Sequence, residues 1–420
     1  MDVRTRRHRA ALFLYMLVTG ISLASWVART PAVRDGLDVS TGTMGLVLFG
    51  LSTGSMAGVV TSGGLVRRWG GRPVIGIGSA LMAAGVAAVA GAVTASLTPG
   101  VFGGLALFGA GIGLSEIAVN IEGAAVERAV GRPVLPVLHG CFSLGTVVGA
   151  LVGMVMTAVP VPVGPHLLAV SLVTAAACVW AVRTIPPGTG RDAAPAPAPA
   201  HTPGARAGGV RDRLRVWRDG RLVLIGLIVL AMAFAEGAAG DWLPLLMVDG
   251  HDTSATAGSL TYLAFAAAMT AGRFAGGPLL ERFGRVHVVR TSALVAAAGV
   301  AVVVFSPSAV AAGAAVVLWG LGAALGFPVV ISAAGEHPAD AAARVSAVAT
   351  AGYCAFLVGP PFLGFLADHL GLREAMVVVL VLLAASSFLT PALRPAPAQP
   401  APDAARTPGA PKAPESGVSR

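Results

Sequence analysis

The chain has 420 residues, of which 55% are hydrophobic and 12% charged, with a mean hydropathy of +0.79. Soluble domains carry about 25% charged residues, so this composition excludes a soluble globular protein and describes a membrane protein. The net charge of +9 would suit a nucleic-acid partner, but the placement of the basic residues makes membrane topology the better explanation.

Apolar runs able to cross ~30 Å of hydrocarbon are bounded by polar breaks at 10–28, 43–66, 73–93, 101–121, 136–158, 166–183, 221–243, 258–280, 288–306, 310–335, 345–366 and 374–391. Twelve spans predict an all-α membrane protein. With both termini cytoplasmic, only Arg29, Arg34 and Arg373 of the 29 basic residues lie outside, and Arg273 lies within a span. That is the bias that short cytoplasmic loops show, and it predicts a multi-pass protein of the cytoplasmic (inner) membrane.

The first run, "RTRRHRAALFLYMLVTGISLASWVA", has the basic head and apolar body of a signal peptide. It lacks a small-residue cleavage site and reads as the first retained helix. Cys141, Cys178 and Cys354 all fall inside spans, so no disulfide framework is expected. The sequence offers no metal-ligand set, and no cofactor is expected.

Span four ends in "SEIAVNIEGAAVER", Ser115 to Arg128. At 100° per residue, Glu116, Asn120, Gly123 and Glu127 fall within about 60° of one another, Gly109 and Gly113 continue the stripe, and Glu122 points elsewhere. A carboxylate within a span costs about 2.5–3.5 kcal/mol on insertion scales, so Glu116 should face the bundle interior or a cavity, roughly 22 Å deep. There it can exchange a proton, or pair permanently with a donor; Asn120 either binds solute or clamps two helices. His139 and Ser143, one turn apart in span five, lack a nucleophile elbow or a convergent acid. A hydrogen bond from His139 to the loop between spans four and five, beside Glu127, is the expectation, and an enzyme is not.

The linker "PPGTGRDAAPAPAPAHTPGARAGGVRDRLRVWRDG" divides the spans six and six. The expected organisation is a six-helix bundle at 1–185, a Pro/Ala-rich basic linker at 186–220, a second bundle at 221–391 and a disordered tail at 392–420. Span seven carries "AFAEGAAGDWLP". Glu236 lies about 23 Å from the cytoplasmic face, among three glycines at which the helix can bend; it is either a proton or solute site or part of a structural ion pair. Asp241 falls close to the outer interface, as a gate, interface or solute residue, and Trp242 as an aromatic anchor. Arg273, about 12 Å inside the cytoplasmic boundary, either snorkels or pairs in one conformation with Glu127 or Glu336.

The halves repeat. "GGLVRRWGGR" at 63–72 and "GGPLLERFGR" at 276–285 align Gly63 with Gly277, Arg68 with Arg282 and Gly70 with Gly284 at one constant offset. The same offset relates Phe142 to Phe356 and Gly145 to Gly359. Tyr353, the duplicate of His139 in that register, is a further candidate for a cavity wall. An even number of spans per copy makes the two bundles parallel.

Twelve spans, the six-six division and the G-x-x-x-[DE]-R-x-G-R loop resemble the major facilitator superfamily. "WVARTPAVRDGL", "EIAVNIEGAAVER", "HGCFSLG" and "EGAAGDW" resemble its MosC-like, rhizopine-transport-associated branch, which is similar at greater distance to fucose permease. The resemblance implies a major facilitator fold whose spans one, four, seven and ten line a central cavity. It also implies a proton-coupled secondary transporter of a small polar, sugar-like or cyclitol-like solute working by alternating access, as a monomer with no nucleic-acid partner. Glu116, Asn120, Glu236, Asp241 and Tyr353 are the expected solute or proton sites. Arg68, Arg72, Arg273, Glu281, Arg282 and Arg285 are the expected cytoplasmic gate, although Arg67 stands where the superfamily places an acid in the first loop. Drug or metabolite efflux by proton antiport is the alternative, weakened because span five lacks the Gly-Pro of such antiporters; a non-transporting sensor or scaffold is the alternative from another class.

Overall fold

The computed structural model describes residues 3–132, 134–191, 218–335 and 341–394; most of the linker and tail, and Glu336, lie outside the described residues. The elements run α1 Val3–Val27, a short α2 Thr30–Leu37, α3 Thr41–Trp69, α4 Gly71–Thr94, α5 Thr98–Val130, α6 Leu135–Ala158 and α7 Val163–Thr184. The second half has α8 Gly220–His251, α9 Ala255–Phe305, α10 Ala309–Ala323, α11 Gly326–Ala334, α12 Ala341–Leu370, a one-turn α13 Leu372–Ala375 and α14 Val377–Leu389, closed by a 3₁₀ turn at Thr390–Leu393.

Among the described residues eleven helical stretches are long and apolar enough to span a bilayer. One of them, α9, has 51 residues and a non-helical break at Gly284, so it supplies two crossings and the total is twelve. Gly284 has φ 70° and ψ 158°, and its duplicate Gly70, between α3 and α4, has φ 88° and ψ 168°. Both are conformations that a residue without Cβ reaches at little cost. The shared turn is why these two glycines recur in register in the two halves.

Helix starts follow local chemistry. Ser40, Ser254 and Ser308 cap α3, α9 and α10 by accepting from Thr43, Ala257 and Ala311 amides at 3.2–3.3 Å, and prolines open α2, α5 and α6 where their missing donor is harmless. Asp219 caps α8 by accepting from the Arg221 amide at 2.9 Å and pairs with Arg344 of α12 at 2.6 Å. Burial opposes ionisation of Asp219, but Arg344 and the amide outweigh it, holding the carboxyl below its ordinary value. A depressed carboxyl stabilises the fold above its unfolded value of about 3.9 and loses that contribution as pH falls through the folded value. Asp219→Asn should therefore flatten the acid limb of a melting-temperature profile below about pH 4.

Within each half the helices meet through small residues. The space at Gly54 of α3 is taken by the Ala106 backbone of α5, and that at Gly145 of α6 by the Leu17 carbonyl of α1; such contacts replace the hydrophobic drive that lipid cannot supply. Some polar groups between them are paired, as Ser22 is with Thr174 at 2.7 Å. The halves meet where α3 packs on α12 and α6 on the first part of α9.

Glu122, which the stripe on span four leaves aside, is fully buried and faces His8 of α1 at 3.1 Å. Breaking a buried pair from one side costs about 3–5 kcal/mol. His8→Ala should thus lower the melting temperature markedly, and His8→Leu with Glu122→Met should recover most of the loss; equal melting of the single and double variants would show that the pair contributes nothing.

Candidate functional site

Between the halves lies a cavity of about 260 Å³, walled by α1, α3 and α6 on one side and α8, α9 and α12 on the other. Its polar groups are Ser52, Ser55, Thr146, Glu236, Asp241, Tyr262 and Tyr353, set among aliphatic and aromatic side chains. Nothing occupies the space beside Gly240, whereas Gly237 is covered by Phe356. The wall therefore differs from the expected one: α5, which is span four, and α10 with α11, which form span ten, contribute no lining residue, and spans two, five, eight and eleven do.

Arg273 of α9 donates to the Glu236 carboxylate at 2.8 Å and to the Ser143 hydroxyl of α6 at 3.1 Å. Thr270, one turn before it, donates to the Ser143 carbonyl at 3.3 Å and to the Ala266 carbonyl of its own helix at 2.7 Å. A single guanidinium thus ties the acid of α8 to the opposite half. In this conformation Glu127 is engaged elsewhere, its carboxylate accepting from the Val134 and Leu135 amides at 2.8 and 3.2 Å and closing the start of α6. Arg273 does not snorkel, since its head is held inward by these two partners.

No break in helical geometry marks the glycines around Glu236. Helix α8 is continuous from Gly220 to His251, so Asp241 lies about 15 Å before its C-terminal end and lines the cavity together with Glu236 and Tyr262. Asp241 makes no ion pair or hydrogen bond among the described residues. Trp242 is fully buried, which corrects its reading as an interfacial anchor.

On α5 the polar stripe is split among neighbours. Gly109 and Gly113 press on Leu51 and Ser55 of α3, and Asn120 bonds His139 at 3.2 Å, so His139 clamps α5 to α6 and does not hold the loop. Glu116 is half-buried and outside the cavity lining, whereas Tyr353 does line it.

The two Gly-bearing turns hold the expected gate. Arg68, Glu281 and Arg282 are exposed and Arg72 is half-buried; none makes an ion pair among the described residues. Arg282 stacks on Phe283 at 5.3 Å, and Arg285 donates to the Leu393 carbonyl.

At the opposite end the halves are shut, a closure the sequence reading missed. Arg34 pairs with Asp249 across the halves and with Asp35 at 2.8 Å. Asp368 of α12 accepts from the Ser40 hydroxyl at 3.0 Å and the Gly42 amide at 2.7 Å, and Ser259 donates to the Ala28 carbonyl at 2.8 Å. The Arg34-Asp35 dipeptide was visible in "WVARTPAVRDGL"; its partner in the other half was not.

This architecture has relatives. An uncharacterised transporter of Sinorhizobium fredii is 30% identical over 388 residues, 90% of this chain and 96% of that protein, and the membrane protein MosC of Rhizobium meliloti is 26% identical over 371 residues, 88% and 86%. Among solved structures, the nucleoside transporter NupG superposes with a TM-score of 0.73 at 12% identity, covering 93% of this chain and 99% of that one. FucP in its outward conformation gives 0.64 at 16%, covering 92% and 99%; these two show the fold alone. The model of the Major Facilitator Superfamily matches residues 10–356, and with the twelve crossings described above, the chain belongs to that superfamily of transporters.

Proposed function

We propose that this transporter moves a small polar, sugar-like or cyclitol-like solute by alternating access, driven by protons, across the inner membrane with both termini cytoplasmic. The observation that carries the reading is Arg273 joined at once to Glu236 and to Ser143 of the other half. A proton on Glu236 removes the charge that holds the guanidinium, and Arg273 then loosens its grip between α8 and α6. Proton and solute together need shift the two conformations by only a few kcal/mol. Asp241, Tyr353 and Tyr262 face the space a solute would fill, while Glu116 stands behind it as a second proton-exchanging group and Asn120 with His139 clamps α5 to α6. In the proposed orientation the structure is closed outside, and Arg68, Arg72, Glu281, Arg282 and Arg285 are the gate that closes the cytoplasmic side in the other state.

The division at 185 and 221, which lets each bundle move as a unit, belongs to the same proposal. It is supported by relatives whose names mention transport, and by FucP being a fucose:proton symporter. Efflux stays second, because the Gly-Pro of this chain sits at Gly359-Pro360 in α12.

Proteoliposomes carrying an inward pH gradient should accumulate a labelled sugar or cyclitol from a panel, and a protonophore should abolish it. Equal accumulation with and without the gradient would remove the proton from the mechanism. Depletion of a preloaded dye instead would establish efflux.

A further inference from the structure

The largest concavity of those described lies away from the central cavity. A trough of about 920 Å³ runs between the two halves of α9 and along α10, floored by Ala275, Leu279, Val295 and Leu321 and ending beside the Gly284 turn at Arg282 and His287. Leu279 and Leu321 are about 40% exposed: apolar surface open to hydrocarbon in a chain that crosses the bilayer. Arg282 is exposed and has no ion pair among the described residues, and Arg290 of the same turn flanks a neighbouring hollow with His287. Glu281 is the one acid in this turn.

We infer that this trough binds an anionic glycerophospholipid, its phosphate on Arg282 and His287 and its acyl chain along the floor. An apolar channel of this size with a cationic rim matches a molecule whose tail is hydrocarbon and whose head is an anion. Basic pockets between helices at the cytoplasmic surface are where such headgroups settle. A net anionic head is favoured over a zwitterionic one, because an ammonium at the rim would meet Arg282, with Arg290 flanking the neighbouring hollow. The leaflet named depends on the orientation proposed above; the site itself requires only that the chain spans the membrane.

The test measures lipid retained by detergent-purified full chain, by native mass spectrometry, after exposure to phosphatidylglycerol, phosphatidylcholine or glycerol 3-phosphate. Phosphatidylglycerol should be retained over phosphatidylcholine and should not be displaced by glycerol 3-phosphate. Arg282→Gln should weaken it about fivefold, the worth of one basic residue at a lipid surface, and Ala275→Phe should exclude the tail. Should Ala275→Phe fail to fold, Arg282→Gln at its exposed position still decides. Equal retention of phosphatidylcholine, wild-type retention in Arg282→Gln, or displacement by glycerol 3-phosphate overturns the inference. None of these readouts involves transport, so failure here leaves the coupling proposal standing, and the reverse holds.

Discussion

Arg273→Ala is expected to reduce gradient-driven uptake by ten- to a hundredfold. Hydrogen bonds to charged groups are worth about 1.5–3 kcal/mol, and each ~1.4 kcal/mol is tenfold. The substitution removes the bond to Glu236 and the bond to Ser143 together, leaving a carboxylate beside the cavity without its counter-charge. Arg273→Lys keeps the charge but cannot reach two partners in a fixed fork, so it should fall between the two. Glu236→Gln separates coupling from binding: solute exchange at equal pH should persist while accumulation against a gradient disappears. If Glu236→Gln accumulates solute with wild-type pH dependence, Arg273 and Glu236 form a structural pair and the proton is carried elsewhere, with Asp241 the next residue to substitute.

The second large effect concerns assembly. Gly58 of α3 lies against α5 so closely that an added Cβ would sit 2.5 Å from the Ala110 carbonyl oxygen and 2.6 Å from the Leu114 amide nitrogen. Backbone cannot rotate aside as a side chain does, so overpacking here should reach or exceed the upper end of the usual range of about 1–3 kcal/mol. Gly58→Leu should abolish the monodisperse peak in fluorescence-detected size exclusion, and Gly58→Ala should lower the melting temperature without destroying it. Gly64 lies on the same helix and meets nothing within 4 Å, so Gly64→Leu should behave as wild type. Leu is a better helix former than Gly, so similar losses at both positions could not come from helix propensity and would show that the seam at Gly58 is not what decides assembly.

Much of the architecture was legible in the sequence because hydrocarbon imposes it. Twelve apolar runs, and glycines recurring at one offset between the halves, reflect constraints that act along the chain. Glu236 was legible for the same reason, being an acid deep within an apolar run. Its partner was not, because Arg273 is remote in sequence and only packing chooses between it and other cations. Asp241 was misplaced because the Asp-Trp-Leu-Pro sequence looks like the end of span seven, although Pro244 is tolerated within a helix that runs on to His251. The stripe on span four misled for a different reason. Helical periodicity shows which residues share a face but not which neighbour covers it, and here α3 and α6 cover the face that was assigned to the cavity. The three cysteines are free, as expected from their positions within spans.

The joint between the halves near the closed end contains little that interlocks. The space at Gly45 of α3 is taken up by the Pro360 carbonyl and the Gly364 Cα of α12, main chain against main chain, with the Arg34 and Asp368 contacts at the rim. Two smooth surfaces of this kind slide and part without any rotamer having to change, and little dispersion energy is forfeited until they have separated. Resistance to opening is then concentrated at the rim, where the Arg34–Asp249 ion pair crosses between the halves beside the hydrogen bonds to Asp368, so added salt should quicken the swing between states without loosening either bundle.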